Sequence, residues 1–170
     1  IAGIITKREE KEELITKMSE RIKHRGPDGE GYFIDDDIAL AHRRLSIIDL
    51  STGNQPMFNE DNSVVIVYNG EVYNYKELKE ELLALGHTFT TTSDTEVLVH
   101  GFEEWHTDLP KHLRGMFAFA IYDKNSKELF LARDNFGIKP LYYAYMNDTF
   151  MFASEIKAFL DLPDFKKEFN

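Results

Sequence analysis

Apolar positions along the chain change their period several times, and each change predicts an element. The opening run IAGIIT, residues 1–6, has no polar lead-in and predicts a short buried strand. Over REEKEELITKMSERIKHRG, Leu14, Ile15, Met18 and Ile22 share one helical face. Acids come early there, bases late, and Gly26 follows, which predicts an amphipathic helix. GYFIDDDIALAHRRLSIIDL predicts two strands flanking the acidic turn Asp35–Asp37. Three adjacent acids point in different directions, so that triplet reads as a solvated turn rather than a cation site. A polar connection, STGNQPMFNEDNS, leads into VVIVYNGEVYNY at 64–75. Asn74 with Glu77 reads as a capping box ahead of Leu78, Leu82 and Leu83, with Gly86 as the stop. HTFTTT predicts a strand. Ser93 with Glu96 reads as a second capping box, opening a helix that turns Val97, Leu98, Phe102 and Trp105 inward. MFAFAIYD and ELFLARD, joined by KNSK, predict one hairpin; LYYAYM and TFMFAS, joined at Asn147–Asp148, predict another. EIKAFL is a last short helix, and about 161–170 reads as the start of a linker.

Strands in hairpins, with helices between them and at each end, imply an α+β layered sandwich of antiparallel sheets rather than βαβ units. A length of 170 residues fits a single domain with a real core. The apolar share of 42% and charged share of 29% are those of a folded, water-exposed protein. A formal charge of −10 excludes nucleic acid or an anionic membrane as the main partner, because both need a basic footprint. The absence of Cys leaves no disulfide framework and fits a reducing, cytoplasmic compartment.

Candidate chemistry is sparse by motif. HRGPDGEG carries glycines at 26, 29 and 31 but not in dinucleotide-binding order, and no Walker sequence is present. Ser46, Ser93, His42 and His87 lie in no nucleophile elbow. The six His residues include no i, i+4 pair, so neither a metal nor a cofactor is expected in this domain. Asn69-Gly70 between β-runs is the strongest short hairpin signal. The same residues, with Glu71, also set an amide, an unhindered N–H and a carboxylate side by side, a grouping suited to an oxyanion. In AHRRLSIID, Arg43 and Arg44 sit in apolar β-sequence and call for a carboxylate, internal or from a ligand. Asp94 is either a helix-dipole partner or a ligand-binding acid.

HRGPDGEG, AHRRLSIIDL, QPM, YNGEVYNYKEL, SDTEVL, LRGMFAFAIYD, LARDNFGIKPLYY and FASEIKAFL occur in one order across residues 1 to about 160. Together they resemble the glutaminase domains of the asparagine synthetase family, class II glutamine amidotransferases. The resemblance implies the N-terminal-nucleophile hydrolase fold, a four-layer α-β-β-α sandwich. It also implies hydrolysis of glutamine to glutamate and ammonia. ATP and Mg would then act in a separate C-terminal synthetase domain that amidates aspartate. Mature chains of that family begin Cys-Gly-Ile-Ala-Gly-Ile or a close variant, so a nucleophilic Cys is expected just before Ile1.

The resemblance further implies that Asn69 and Gly70 stabilise the oxyanion. It gives Arg44 the α-carboxylate of glutamine, Leu45, Ser46, Ile47 and Ile48 the pocket wall, and Glu71 and Asp94 the α-ammonium. Two alternatives stand beside this reading. One is a glutamine-binding or regulatory module that lacks the nucleophile; the other is a glutaminase serving a different acceptor. The sequence leaves a homodimer open.

Overall fold

The computed structural model describes residues 1–45, 53–163 and 165. In chain order the elements begin with β1 (Ala2–Ile5), α1 (Lys11–Arg21), β2 (Gly29–Ile34) and β3 (Ile38–Arg44). Then come β4 (Met57–Phe58), β5 (Val64–Val72), α2 (Tyr75–Ala84), α3 (Asp94–Trp105) and α4 (Leu109–His112). β6 (Gly115–Asp123), β7 (Glu128–Arg133), β8 (Tyr142–Met146) and β9 (Thr149–Ala153) follow, and a 3₁₀ turn spans Ile156–Phe159. The class is α+β with two antiparallel sheets, in strand orders β2-β3-β1-β9-β8 and β4-β5-β6-β7. The chain divides into two compact units, Ile1–Ile47 with Pro140–Asn170, and Ile48–Lys139.

In the first unit, β1 sits between β3 and β9, with Ala2 opposite Ala41 on one side and Ala153 on the other. Alternation turns Ala2, Ile4, Ala39, Ala41, Met151 and Ala153 to the face that α1 covers with Leu14, Ile15, Met18 and Ile22. Alanine on the sheet lets the larger helical side chains come close, and each buried Leu, Ile or Met contributes roughly 1.5–3 kcal/mol. Phe159, Leu162 and Phe165 pack on the same cluster. The β8–β9 hairpin turns at Asn147 and Asp148, whose φ of 48° and 59° suit the tight turn foreseen there.

In the second unit, Ile66, Tyr68 and Val72 of β5 and Phe117, Phe119 and Ile121 of β6 face the helices. Leu78 and Leu82 of α2 and Leu98 and Phe102 of α3 close over them. The opposite face of these strands carries smaller residues, Val65, Val67, Ala118 and Ala120, all fully buried.

Three local expectations change. HTFTTT is not a strand: Thr90 and Thr91 turn their N–H and hydroxyl groups onto the Glu96 carboxylate instead of onto a neighbouring strand. That use of Glu96 also replaces the second capping box, although Ser93 does cap α3 by accepting from Thr95 N. Asn74 stands at the N-cap of α2, yet its side chain donates to His112 O and accepts from Arg114 N. Each side chain found a partner more distant in sequence than local rules consider.

Asp134, just after β7, is buried and accepts backbone N–H bonds from Phe117, Phe136, Ile138 and Lys139. Burial works against its charge, but the bonds from Lys139, Ile138, Phe117 and Phe136 outweigh it and hold the carboxyl below the usual range. With the folded pKa depressed, its stabilisation is full above the unfolded value of about 3.9 and disappears as pH falls through the folded one. Asp134→Ala should therefore cost about 3 kcal/mol in urea unfolding at neutral pH and flatten the acid limb of the stability profile.

Candidate functional site

Asn69, Gly70 and Glu71 lie inside β5, paired with Ala118, Phe117 and Met116 of β6. The Asn-Gly hairpin allowed by local pattern does not form. A nine-residue strand with a full partner outweighs a two-residue turn preference. What the position does demand is the missing side chain. A Cβ on Gly70 would run into the Met116 carbonyl and approach Phe117 Cα to 2.8 Å.

The hydrogen-bond phase of the strand follows from Phe117. Its C=O accepts from Asp134 N and its N–H donates to the Asp134 carboxylate, so both groups point away from β5. Gly70–Phe117 is therefore a non-hydrogen-bonded pair, and the Gly70 N–H faces the outer edge of β5. β4 covers that edge only at Val65 and Ile66. Further along, Tyr68 N donates to Gln55 Oε1 at 2.5 Å and Val72 N to Asp94 Oδ2 at 3.0 Å. The Gly70 N–H stands between these two. Next to it, Asn69 Nδ2 is the buried side-chain polar atom without a partner among the described residues. Two adjacent donors thus stay available, an arrangement that costs stability unless an acceptor arrives.

Asp94 is set by α3. Its Oδ2 accepts from Tyr68 OH at 2.9 Å as well as from Val72 N, so both described bonds fall on one oxygen. Burial, then the Asp94 charge, push the Tyr68 phenol far above its ordinary pKa, which keeps it a donor. Glu96, one turn on, is held below the usual carboxylate range because its bonds from Thr90 and Thr91 outweigh the burial. Those bonds fix the segment entering α3. Tyr68 and Gln55 lie in the motifs YNGEVYNYKEL and QPM, but no role was read for either from sequence. Their signal is parity: Tyr68 shares the strand face of Gly70 and Val72, and this becomes informative only once the strand is known.

In the first unit, alternation along β3 separates the two arginines. Arg43 turns toward α1, where Nε donates to Ser19 Oγ at 2.8 Å and the guanidinium pairs with Glu20 and Glu30. Arg43 is thus held by internal ion pairs. Arg44, one residue on, takes the opposite face. Its backbone is clamped by the HRGPDG segment: Asp28 N donates to Arg44 O at 3.0 Å. A Cβ on Gly26 would collide with the Arg43 carbonyl and Arg44 N. Leu45 is exposed, and Ser46, Ile47 and Ile48 lie outside the described residues.

At the start of β1, Ile1 N donates to Ser154 Oγ at 3.0 Å. Glu155 is bonded by Arg25 at 3.0 Å, His24 at 2.9 Å and Lys157 at 3.0 Å. Burial raises its pKa, but these partners outweigh that and bring it to about 2.

Residues 1–170 match the family described as "Glutamine amidotransferase domain". The chain is 52% identical over 151 residues to asparagine synthetase (glutamine-hydrolyzing) 1 of Bacillus subtilis (strain 168), covering 89% of this chain and 24% of that protein. Asparagine synthetase (glutamine-hydrolyzing) 2 of Arabidopsis thaliana is 43% identical over 162 residues, covering 95% of this chain and 28% of that one. Among solved structures, the glutamine phosphoribosylpyrophosphate amidotransferase of B. subtilis, complexed with ADP and GMP, superposes with a TM-score of 0.77 at 26% identity. That match covers 93% of this chain and 42% of the other. The chain therefore spans about a quarter of the curated relatives.

Gly70→Ala tests the geometry of β5 directly. It should lower stability by about 2–3 kcal/mol through the forced separation of β5 from β6. The check is a thermal melt, with Gly29→Ala, whose Cβ would lie 3.6 Å from Arg44 Cβ in ordinary contact, as comparison.

Proposed function

The chain belongs to the glutamine amidotransferase domain family, and on that premise we propose that it hydrolyses glutamine to glutamate and ammonia. The ammonia passes to an ATP- and Mg-dependent synthetase domain of the same polypeptide, which amidates aspartate. Support for that acceptor comes from the names of the relatives and from the part of their length that this chain spans. The observation that carries the glutaminase reading is the pair of available donors, Asn69 Nδ2 and the Gly70 N–H, side by side on β5. A tetrahedral intermediate formed from an amide carbonyl places a full negative charge on one oxygen. Two fixed donors are what such an oxygen needs.

The nucleophile in this reading is the Cys of a Cys-Gly pair ahead of Ile1. Continuing the register of β1 along β3 by two residues sets that Cys opposite Arg44, on the face away from α1. The Cys amine, free base in part at neutral pH, takes the thiol proton. The thiolate attacks the side-chain carbonyl carbon of glutamine, and the C=O electrons move onto the oxygen held by Asn69 and Gly70. The oxyanion collapses, the C–N bond breaks, and the departing nitrogen takes a proton to leave as ammonia. Water then opens the thioester through a second oxyanion to give glutamate. No metal or cofactor enters these steps.

Recognition follows the same likeness. Arg44 takes the α-carboxylate, since a guanidinium matches its two oxygens. Asp94 and Glu71 take the α-ammonium; Tyr68, by occupying Asp94 Oδ2, leaves Oδ1 to do so. Leu45, with Ser46, Ile47 and Ile48, forms the wall. The apolar, small-residue face of β6, Ala118 and Ala120, helps to line the ammonia exit, because neutral ammonia must be kept from water that would protonate it.

In the native polypeptide, Asn69→Ala should lower glutaminase kcat about 10²–10³-fold with little change in KM. Arg44→Ala should instead raise KM for glutamine roughly 10–100-fold. Absence of glutamine hydrolysis by a native chain that begins with Cys would overturn the reading. Ala120→Leu should depress glutamine-driven asparagine formation while leaving synthesis from added ammonium intact. Measuring both nitrogen sources on one preparation separates a blocked passage from a misfolded domain.

A further inference from the structure

Away from the β5 donors, the second unit gathers His87, His100 and Glu103, whose ligand-type atoms all lie within 4.8 Å of one another. His87 follows α2, while His100 and Glu103 are on α3. Glu103 Oε2 is 2.9 Å from His100 Nδ1 and 3.7 Å from His87 Nδ1. These spacings bracket the ~3.3 Å edge of a tetrahedral zinc shell built with bonds of about 2.0–2.1 Å. Glu60 Oε2, on the turn after β4, stands 4.0 Å from His100 Nδ1, within reach of a fourth position.

The outer nitrogens and oxygens are held as those of metal ligands usually are. His100 Nε2 faces Glu96 Oε1 at 3.8 Å, and His87 Nε2 faces Glu104 Oε2 at 3.4 Å. Asn59 Nδ2 donates to Glu103 Oε1 at 2.8 Å, leaving Oε2 turned toward the two imidazoles. The Glu104 carboxylate behind His87 orients that ring, while Glu96, engaged by Thr90 and Thr91, lies beyond hydrogen-bond distance of His100. The charges point the same way. Glu60, Glu96, Glu103 and Glu104 surround two imidazoles, so even with both rings protonated the acids are in excess. Lys79 donates to Thr91 O and lies over the Phe89 ring.

We propose that His87, His100 and Glu103 bind one divalent transition-metal ion of the zinc class, with Glu60 or water completing a tetrahedral shell. This departs from the sequence expectation of no metal. The two histidines lie thirteen residues apart on different segments, which a search for helical i, i+4 pairs does not reach. The ion is structural, since glutamine hydrolysis as derived above uses none. It ties the turn at Glu60 and the chain after α2 to α3, the helix whose first residue, Asp94, holds the edge of β5.

The test uses the protein stripped with EDTA and titrated with Zn²⁺ against a chromogenic chelator, with Co²⁺ as the spectroscopic probe. Expected are one saturable Zn²⁺ per chain at micromolar or lower concentration, a tetrahedral-type Co²⁺ visible spectrum and a rise in Tm on zinc addition. His87→Ala, at the more exposed of the two histidines, should weaken zinc binding by at least about tenfold and remove the Tm rise. Glu103→Gln provides the same readout if His87→Ala does not fold. Absence of saturable zinc binding, or unchanged affinity in the folded variant, overturns the site and leaves a histidine–carboxylate hydrogen-bond cluster. Neither result bears on the Asn69 and Gly70 donors, so failure here is distinct from failure of the glutaminase reading.

Discussion

Leaving the Asn69 amide buried and without a partner among the described residues, beside a backbone N–H on a strand edge that β4 does not reach, is the constraint that the second unit is organised to meet. A buried donor of that kind costs about 1–3 kcal/mol while it stays unmatched. Left alone, β5 would relieve it by shifting or by recruiting a neighbour. It does neither, because its neighbours on the same edge are fixed: Tyr68 N to Gln55 and Val72 N to Asp94. On the other side, Asp134 takes both polar groups of Phe117 and thereby sets the phase in which Gly70 faces outward. The donors are available because everything around them is already satisfied.

Buried and half-buried acids do much of this organising in a chain that is acidic overall. Asp134 ties the chain after β7 to β6, Asp94 ties α3 to β5, and Glu96 ties the segment before α3 to that helix. In the first unit Glu155 collects Arg25, His24 and Lys157 near the start of β1. Each carboxylate receives several N–H or O–H donors, which offsets its desolvation and makes the contact directional. Surface acids of equal number would add solubility without fixing any element.

The two arginines of β3 show how one residue of register separates structure from chemistry. Arg43, on the α1 face, is absorbed by Ser19, Glu20 and Glu30. Arg44 takes the other face and, in the proposed reaction, the substrate carboxylate. A shift of one residue between β2 and β3 would exchange these fates, and the close approach of Gly26 to the Arg43–Arg44 backbone guards against it.

Much of this was readable in the chain itself. Hydrophobic period, glycine stops and positive-φ turn residues are local, so α1, α2, α3 and the β6–β7 and β8–β9 hairpins follow from neighbours in sequence. The ordered motifs likewise pointed to Asn69, Gly70, Glu71, Asp94 and Arg44. Local rules did not decide whether Asn69-Gly70 turns or extends, which of two arginines turns toward α1, or where Asn74 and Glu96 direct their side chains. Those outcomes depend on partners such as Ala118, Glu30, His112 and Thr90, brought near only by folding. A side chain that can satisfy two geometries adopts the one whose remaining groups are also satisfied, and that condition exists only in the assembled sheet and its helices.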